Sequence, residues 1–140
     1  MTSDDVLSRI ASLTARAPLT ASVASEALGV TLERTSDGEF FAVYEAKGDD
    51  TFSHVWLQGP KKGATHQGRV SVTLAAGACV KVDQAREQFG FAHKRPVHPG
   101  KAAPELDFWL HNGDWGQLRL GYDRKSGCLV EATLEAKQAR

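Results

Sequence analysis

The chain has 140 residues, of which 41% are hydrophobic and 24% charged, the balance of an ordinary globular domain. That balance excludes a disordered tail, a collagen-like fibre and a coiled coil, and no run approaches the ~18 apolar residues of a membrane span. Seventeen basic residues offset seventeen acidic ones; duplex-binding domains carry a basic excess, so nucleic acid is not an expected partner.

A first helix is expected over Ser3–Ala17. Ser3 suits the N-cap, and Asp4 and Asp5 lie in the first turn, where the helix dipole favours anions. Val6, Leu7, Ile10 and Leu13 fall on one face, and Pro18 ends the run. Thr20 caps a shorter helix reaching Leu28, and Gly29 suits the left-handed position beyond it.

From Glu39 the apolar period drops to two. Glu39–Ala46 and Thr51–Gln58 read as strands, with Lys47-Gly48-Asp49-Asp50 as the hairpin connection. After the loop Gly59–Gly68 comes a strand over Arg69–Leu74. Val82–Phe89 reads as a third helix closed by Gly90, followed by a long loop, Phe91–Pro104. Strands are then expected at Glu105–His111, Trp115–Tyr122 and Cys128–Glu135. Asn112-Gly113 is the strongest turn signal, because a type I′ hairpin needs positive φ at both central residues.

These elements predict one α+β domain over residues 1–140: a six-stranded antiparallel sheet with two N-terminal helices and one inserted helix on one face. Helix and meander occur twice, giving internal repeats at 19–75 and 80–135. In the repeats Ala24, Glu26 and Gly29 align with Ala85, Glu87 and Gly90, and Val72-Thr73-Leu74 with Ala132-Thr133-Leu134. Cys79 and Cys128, the two cysteines, are spaced for neither a metal site nor a CxxC motif. They read either as a disulfide closing a long loop or as two buried free thiols.

Alternation sorts the strands into two faces. One set is aliphatic and assigned to the core, with Phe41, Val43, Val55, Leu57, Phe108, Leu110, Leu118, Leu120 and Val130 among its members. The other holds Phe40, Ala42, Tyr44, His54, Trp56, Asp107, Trp109, His111, Arg119 and Leu129. Trp, Tyr and Arg are the types enriched at binding hot spots, so Phe40, Tyr44, His54, Trp56, Trp109, His111 and Arg119 are the candidate protein-binding residues.

The chemistry of catalysis is thin. The five histidines His54, His66, His93, His98 and His111 form no HxH, HxxxH or HExxH pattern, and there is no GxSxG or phosphate loop. No cofactor, metal or catalytic residue is expected. The alternative is a metal- or small-ligand-dependent enzyme using His54, His111 and Asp107 on the same face. Lys61-Lys62 and Lys94-Arg95 through Lys101 add local positive charge in two loops.

Leu19–Gly29 with Glu39–Leu74, then Val80–Gly90 with Glu105–Leu134, resembles the layout of the β-lactamase inhibitor protein family. The resemblance implies tandem helix-and-strand repeats and a curved, aromatic sheet face that grips a protein partner. A related single-repeat form occurs in small outer-membrane assembly lipoproteins. The chain departs from the pattern in having three strands per repeat rather than four and one evident helix in the second repeat. The stretch from Cys79-Val80 to Phe89-Gly90, with Gly127-Cys128-Leu129-Val130, also looks like small uncharacterised proteobacterial proteins. Fold alone does not carry β-lactamase inhibition over. The expected function is a non-enzymatic protein-binding module of inhibitor, immunity or envelope-accessory type, with an unidentified protein partner. With no signal peptide at Met1-Thr2-Ser3-Asp4-Asp5 the chain reads as cytoplasmic, or as periplasmic or secreted if this is a mature form.

Overall fold

A computed structural model describes residues 3–16, 18–47, 51–61, 67–75, 79–91, 94–97 and 105–137. Two helices open the chain, α1 (Ser3–Thr14) and α2 (Ala21–Leu28). Four strands follow: β1 (Glu33–Asp37), β2 (Phe41–Lys47), β3 (Phe52–Pro60) and β4 (Arg69–Leu74). Helix α3 (Val82–Phe89) then precedes β5 (Leu106–Gly113), β6 (Gly116–Asp123) and β7 (Leu129–Ala136).

All strands join one antiparallel sheet in the order β1-β2-β3-β4-β7-β6-β5. The α+β class therefore holds, but the sheet has seven strands, not six. The extra strand is β1, whose Glu-Arg-Thr-Ser-Asp sequence is exposed at every position. Such a strand has no apolar alternation to reveal it, and a bulge between Arg34 and Ser36 breaks its register. The meanders β2-β3-β4 and β5-β6-β7 meet through their last strands, β4 and β7.

Local chemistry sets the helix ends. The Thr20 side chain accepts a hydrogen bond from the Val23 amide at 3.2 Å, and Gly29 takes φ 68° as α2 terminates. Helix α1 stops at Thr14, short of the expected Ala17. Val6, Leu7, Ile10 and Leu13 are all buried, as their shared face requires. Ile10 and Leu13 pack on Val70, Val72, Leu118, Ala132 and Leu134 around a void of about 10 Å³, no more than one water needs. Each buried aliphatic side chain here contributes roughly 1.5–3 kcal/mol.

The Cys79 and Cys128 sulfurs are bonded, with Cα atoms 4.9 Å apart. Beside them Lys81 bridges Cys128, and the Leu129 amide donates to the Val80 carbonyl at 2.9 Å. The entry to α3 is thus tied to the start of β7.

The β5–β6 hairpin turns at Asp114-Trp115, not at Asn112-Gly113: Asn112 pairs with Gln117 and Gly113 with Gly116. Among the described residues no non-glycine has positive φ, which rules out Asn112 as a type I′ corner. Gly113 answers a different need. A Cβ there would lie 2.3 Å from Trp115 Nε1, because the indole folds back over it.

Candidate protein-binding face

Registered partners in an antiparallel sheet share a face. Val55, Leu57, Val70, Val72, Leu118 and Leu120 belong to the core beneath the helices. Their partners on β2 are Ala46 and Tyr44, and on β5 they are His111 and Trp109. The faces expected for β2 and β5 are therefore inverted. Ala42, Tyr44, Asp107, Trp109 and His111 lie on the helix-covered side, while Phe41, Val43, Phe108 and Leu110 lie on the open one. On β7, Leu129 is a core residue, 2% exposed. Val130 falls at the bulge between Gly121 and Tyr122 of the β6–β7 ladder.

Of the seven candidate residues, three remain on the open side of the strands: His54, Trp56 and Arg119. Phe40 is 59% exposed, but it precedes β2 at the β1–β2 turn, where its carbonyl accepts from the Lys61 amide at 3.1 Å. Tyr44 is half-buried against the core. Trp109 is sealed at 7% exposure, with the Phe91 ring 5.1 Å away and the Arg86 guanidinium 5.3 Å above it. His111 sits 5.5 Å from both the Phe89 and Trp115 rings. Burial lowers its pKa, partly opposed by a hydrogen bond with the Gly90 backbone. Helix α3 and the segment after it cover this end of β5, which turned an expected contact surface into core.

Tyr122 lies in the same region, 2% exposed, and among the described residues its Oη has no hydrogen-bond partner. Burial pushes the phenol pKa well up, with Arg86 pulling weakly the other way. The folded state favours the neutral phenol, so its contribution is intact below the ordinary tyrosine value of about 10 and is lost at higher pH. Tyr122→Phe removes the orphaned hydroxyl and should stabilise the chain by about 1 kcal/mol in urea denaturation. A loss of that size instead would reveal a partner for Oη.

The open face is built in rows. Its middle row runs Glu45, Trp56, Ser71, Thr133, Arg119, Leu110, each the registered partner of the next. Ser71 Oγ and Thr133 Oγ1 are hydrogen-bonded at 3.0 Å in its centre. The half-buried Trp56 stands to one side of that pair. On the other side the Arg119 guanidinium lies 4.8 Å over the Phe108 ring. Gly121 makes this stack possible, since a Cβ there would meet Phe108 Cε1 at 2.8 Å and Glu131 Cγ at 2.9 Å. His54 Nε2 is 3.1 Å from Glu45 Oε1.

The proposed enzyme cluster does not assemble: His54 is on the open face, His111 and Asp107 on the covered one. Asp107 instead pairs with Arg124 at 2.7 Å. Among the described residues no group of three His, Cys, Asp or Glu could hold a metal ion. Lys61 of the basic loops pairs with Asp37, and Lys94 and Arg95 are exposed. Lys62, His66, His93, His98 and Lys101 lie outside the described residues. No described helix is long and apolar enough to cross a membrane. Comparison with protein families, with curated proteins and with solved structures gave no match.

Proposed function

We propose that the chain is a non-enzymatic protein-binding module, of inhibitor, immunity or envelope-accessory type, which docks a folded partner on the open face of its sheet. The observation that carries this reading is the middle row, with Trp56 and the Arg119–Phe108 stack on either side of the Ser71–Thr133 bond. Tryptophan and arginine are the side chains that most often dominate interface energies. Three residues deep and six strands wide, at about 4.8 Å between strands, the face offers roughly 25 by 20 Å, the scale of one side of a small interface. This use of a sheet is what the resemblance to the β-lactamase inhibitor proteins implies, without fixing the target. The Cys79–Cys128 bond favours an oxidising compartment, periplasmic or extracellular.

The test is affinity capture from the source organism with wild type, Trp56→Ala, Arg119→Ala and the turn variant Lys125→Ala. A true partner should bind the first two variants at least ~10-fold more weakly than wild type, as loss of a hot-spot residue implies, and Lys125→Ala normally. If every captured protein binds all four alike, the open face is not the docking site.

A further inference from the structure

The four central strands of the open face, in the order β3-β4-β7-β6, carry three registered rows. The first is Gln58, Arg69, Glu135, Gln117 and the second Trp56, Ser71, Thr133, Arg119. The third is His54, Thr73, Glu131, Gly121. The first two rows are complementary about the line between β4 and β7. Arg69 lies on one side of that line and Glu135 on the other, directly across the ladder. One strand further out, glutamine balances glutamine in the first row and Trp56 balances Arg119 in the second.

An isologous dimer presents one patch to itself through a two-fold axis. Two such axes could lay this face on a copy of itself. An axis along the rows would set each strand on itself, so Arg119 would meet Arg119 of the second copy and Glu131 would meet Glu135. Both contacts join like charges. An axis along the strands, above the line between β4 and β7, instead exchanges the two halves of every row. Arg69 then meets Glu135 of the second copy, and symmetry makes the contact twice. Trp56 meets Arg119, Gln58 meets Gln117 and Ser71 meets Thr133. One side of the Arg119 guanidinium already lies against Phe108, 4.8 Å from the ring centroid, and the indole of the second copy would take the other. Tryptophan is the preferred ring for such a contact. Sheets packed face to face stand ~10 Å apart with their strands within ~30° of alignment, an arrangement this axis satisfies.

We propose that, in the absence of another partner, the chain covers this face with a second copy of itself, paired about the strand-parallel axis. The inference rests on the reading of the open face as a docking surface and names the occupant that its own charges select. About 500 Å² per chain, roughly 1,000 Å² in all, is close to the least that a specific interface buries. The dimer is therefore weak, with a dissociation constant on the order of 100 µM, and a foreign partner can displace it.

Sedimentation velocity of the isolated chain from about 5 µM to about 1 mM, a range that brackets this constant, reads the association. Circular dichroism checks that each variant is folded. Wild type should pass from monomer to dimer. Arg69→Glu and Glu135→Arg each place two like-charge contacts in the dimer and should weaken it at least ~10-fold. Mixed in equal amounts, these two variants should associate about as tightly as wild type, because each reversed site then faces its opposite. Neither chain loses its own cross-strand repulsion in the mixture, so the rescue can come only from contact between copies. Trp56→Ala and Arg119→Ala should each weaken the dimer at least ~10-fold, and Lys125→Ala on the β6–β7 turn should leave it unchanged. These neutral variants decide the matter should a reversed chain fail to fold: an undiminished dimer in either aromatic-contact variant overturns the proposal. A monomer at every concentration also overturns it and leaves the capture of a foreign partner untouched, just as failed capture would leave the dimer standing. Association that ignores the single reversals, or is not restored on mixing them, overturns it as well, because the copies would then meet elsewhere or about another axis.

Discussion

Replacing Cys79 and Cys128 together by alanine should lower the free energy of unfolding by about 4 kcal/mol, the chain-entropy cost of opening a loop of this length. The bond spans a sequence separation of 49 residues, and the loop contains α3, β5 and β6. Helix α3 has few other anchors: Ala85 is its one fully buried residue. Eight residues are too few to be a stable helix alone, so docking holds this one. Urea denaturation of the wild type with and without reductant, beside the double variant, reads the effect. Reductant and variant should give the same loss. A change below about 1 kcal/mol would mean that the bond restricts the unfolded chain far less than its loop length requires.

The two central tryptophans should respond in opposite ways. Trp109→Ala removes an indole packed between Phe91 and Arg86 and should cost about 3–5 kcal/mol, the usual range for a large buried aromatic. Trp56→Ala gives up cross-strand contacts on the open face and should cost only about 0.2–1 kcal/mol. The same substitution is the one expected to weaken partner binding. Thermal and urea unfolding of both variants checks the contrast. Equal losses would mean that Trp56 is also sealed, and the face would cease to exist as a surface.

The helices, the six apolar strands and the inward faces of β3 and β4 were legible from periodicity and caps. Residues such as Thr20, Gly29 and Leu57 sit in the roles their chemistry indicates. The inverted faces of β2 and β5 have an instructive cause. A hairpin with an even number of loop residues pairs an even-numbered residue with an odd-numbered one. Leu118 and Leu120 in the core therefore require odd-numbered partners on β5, namely His111 and Trp109. Val55 and Leu57 likewise require Ala46 and Tyr44. Sorting each strand by hydrophobicity alone favoured Phe108 and Leu110 for the interior and discarded that constraint. Glu45 was a second clue, since it shares a face with Phe41 and Val43 and would have been buried with them. Strand β1, exposed at every position, carries no such signal, and only the fold places Glu33 opposite Glu45.

The two borders of the sheet also bear on how the chain behaves at high concentration. On β1, antiparallel pairing of two copies about Thr35 would set Glu33 against Asp37, and the bulge at Arg34–Ser36 would spoil the match. At the far border the backbone of Phe108 is already occupied: its carbonyl accepts from the Val97 amide at 2.6 Å and its amide donates to the Val97 carbonyl at 3.0 Å. One margin repels a copy of itself and the other is hemmed by its own chain, which guards an apolar, seven-stranded layer against fibril growth by edge-to-edge stacking.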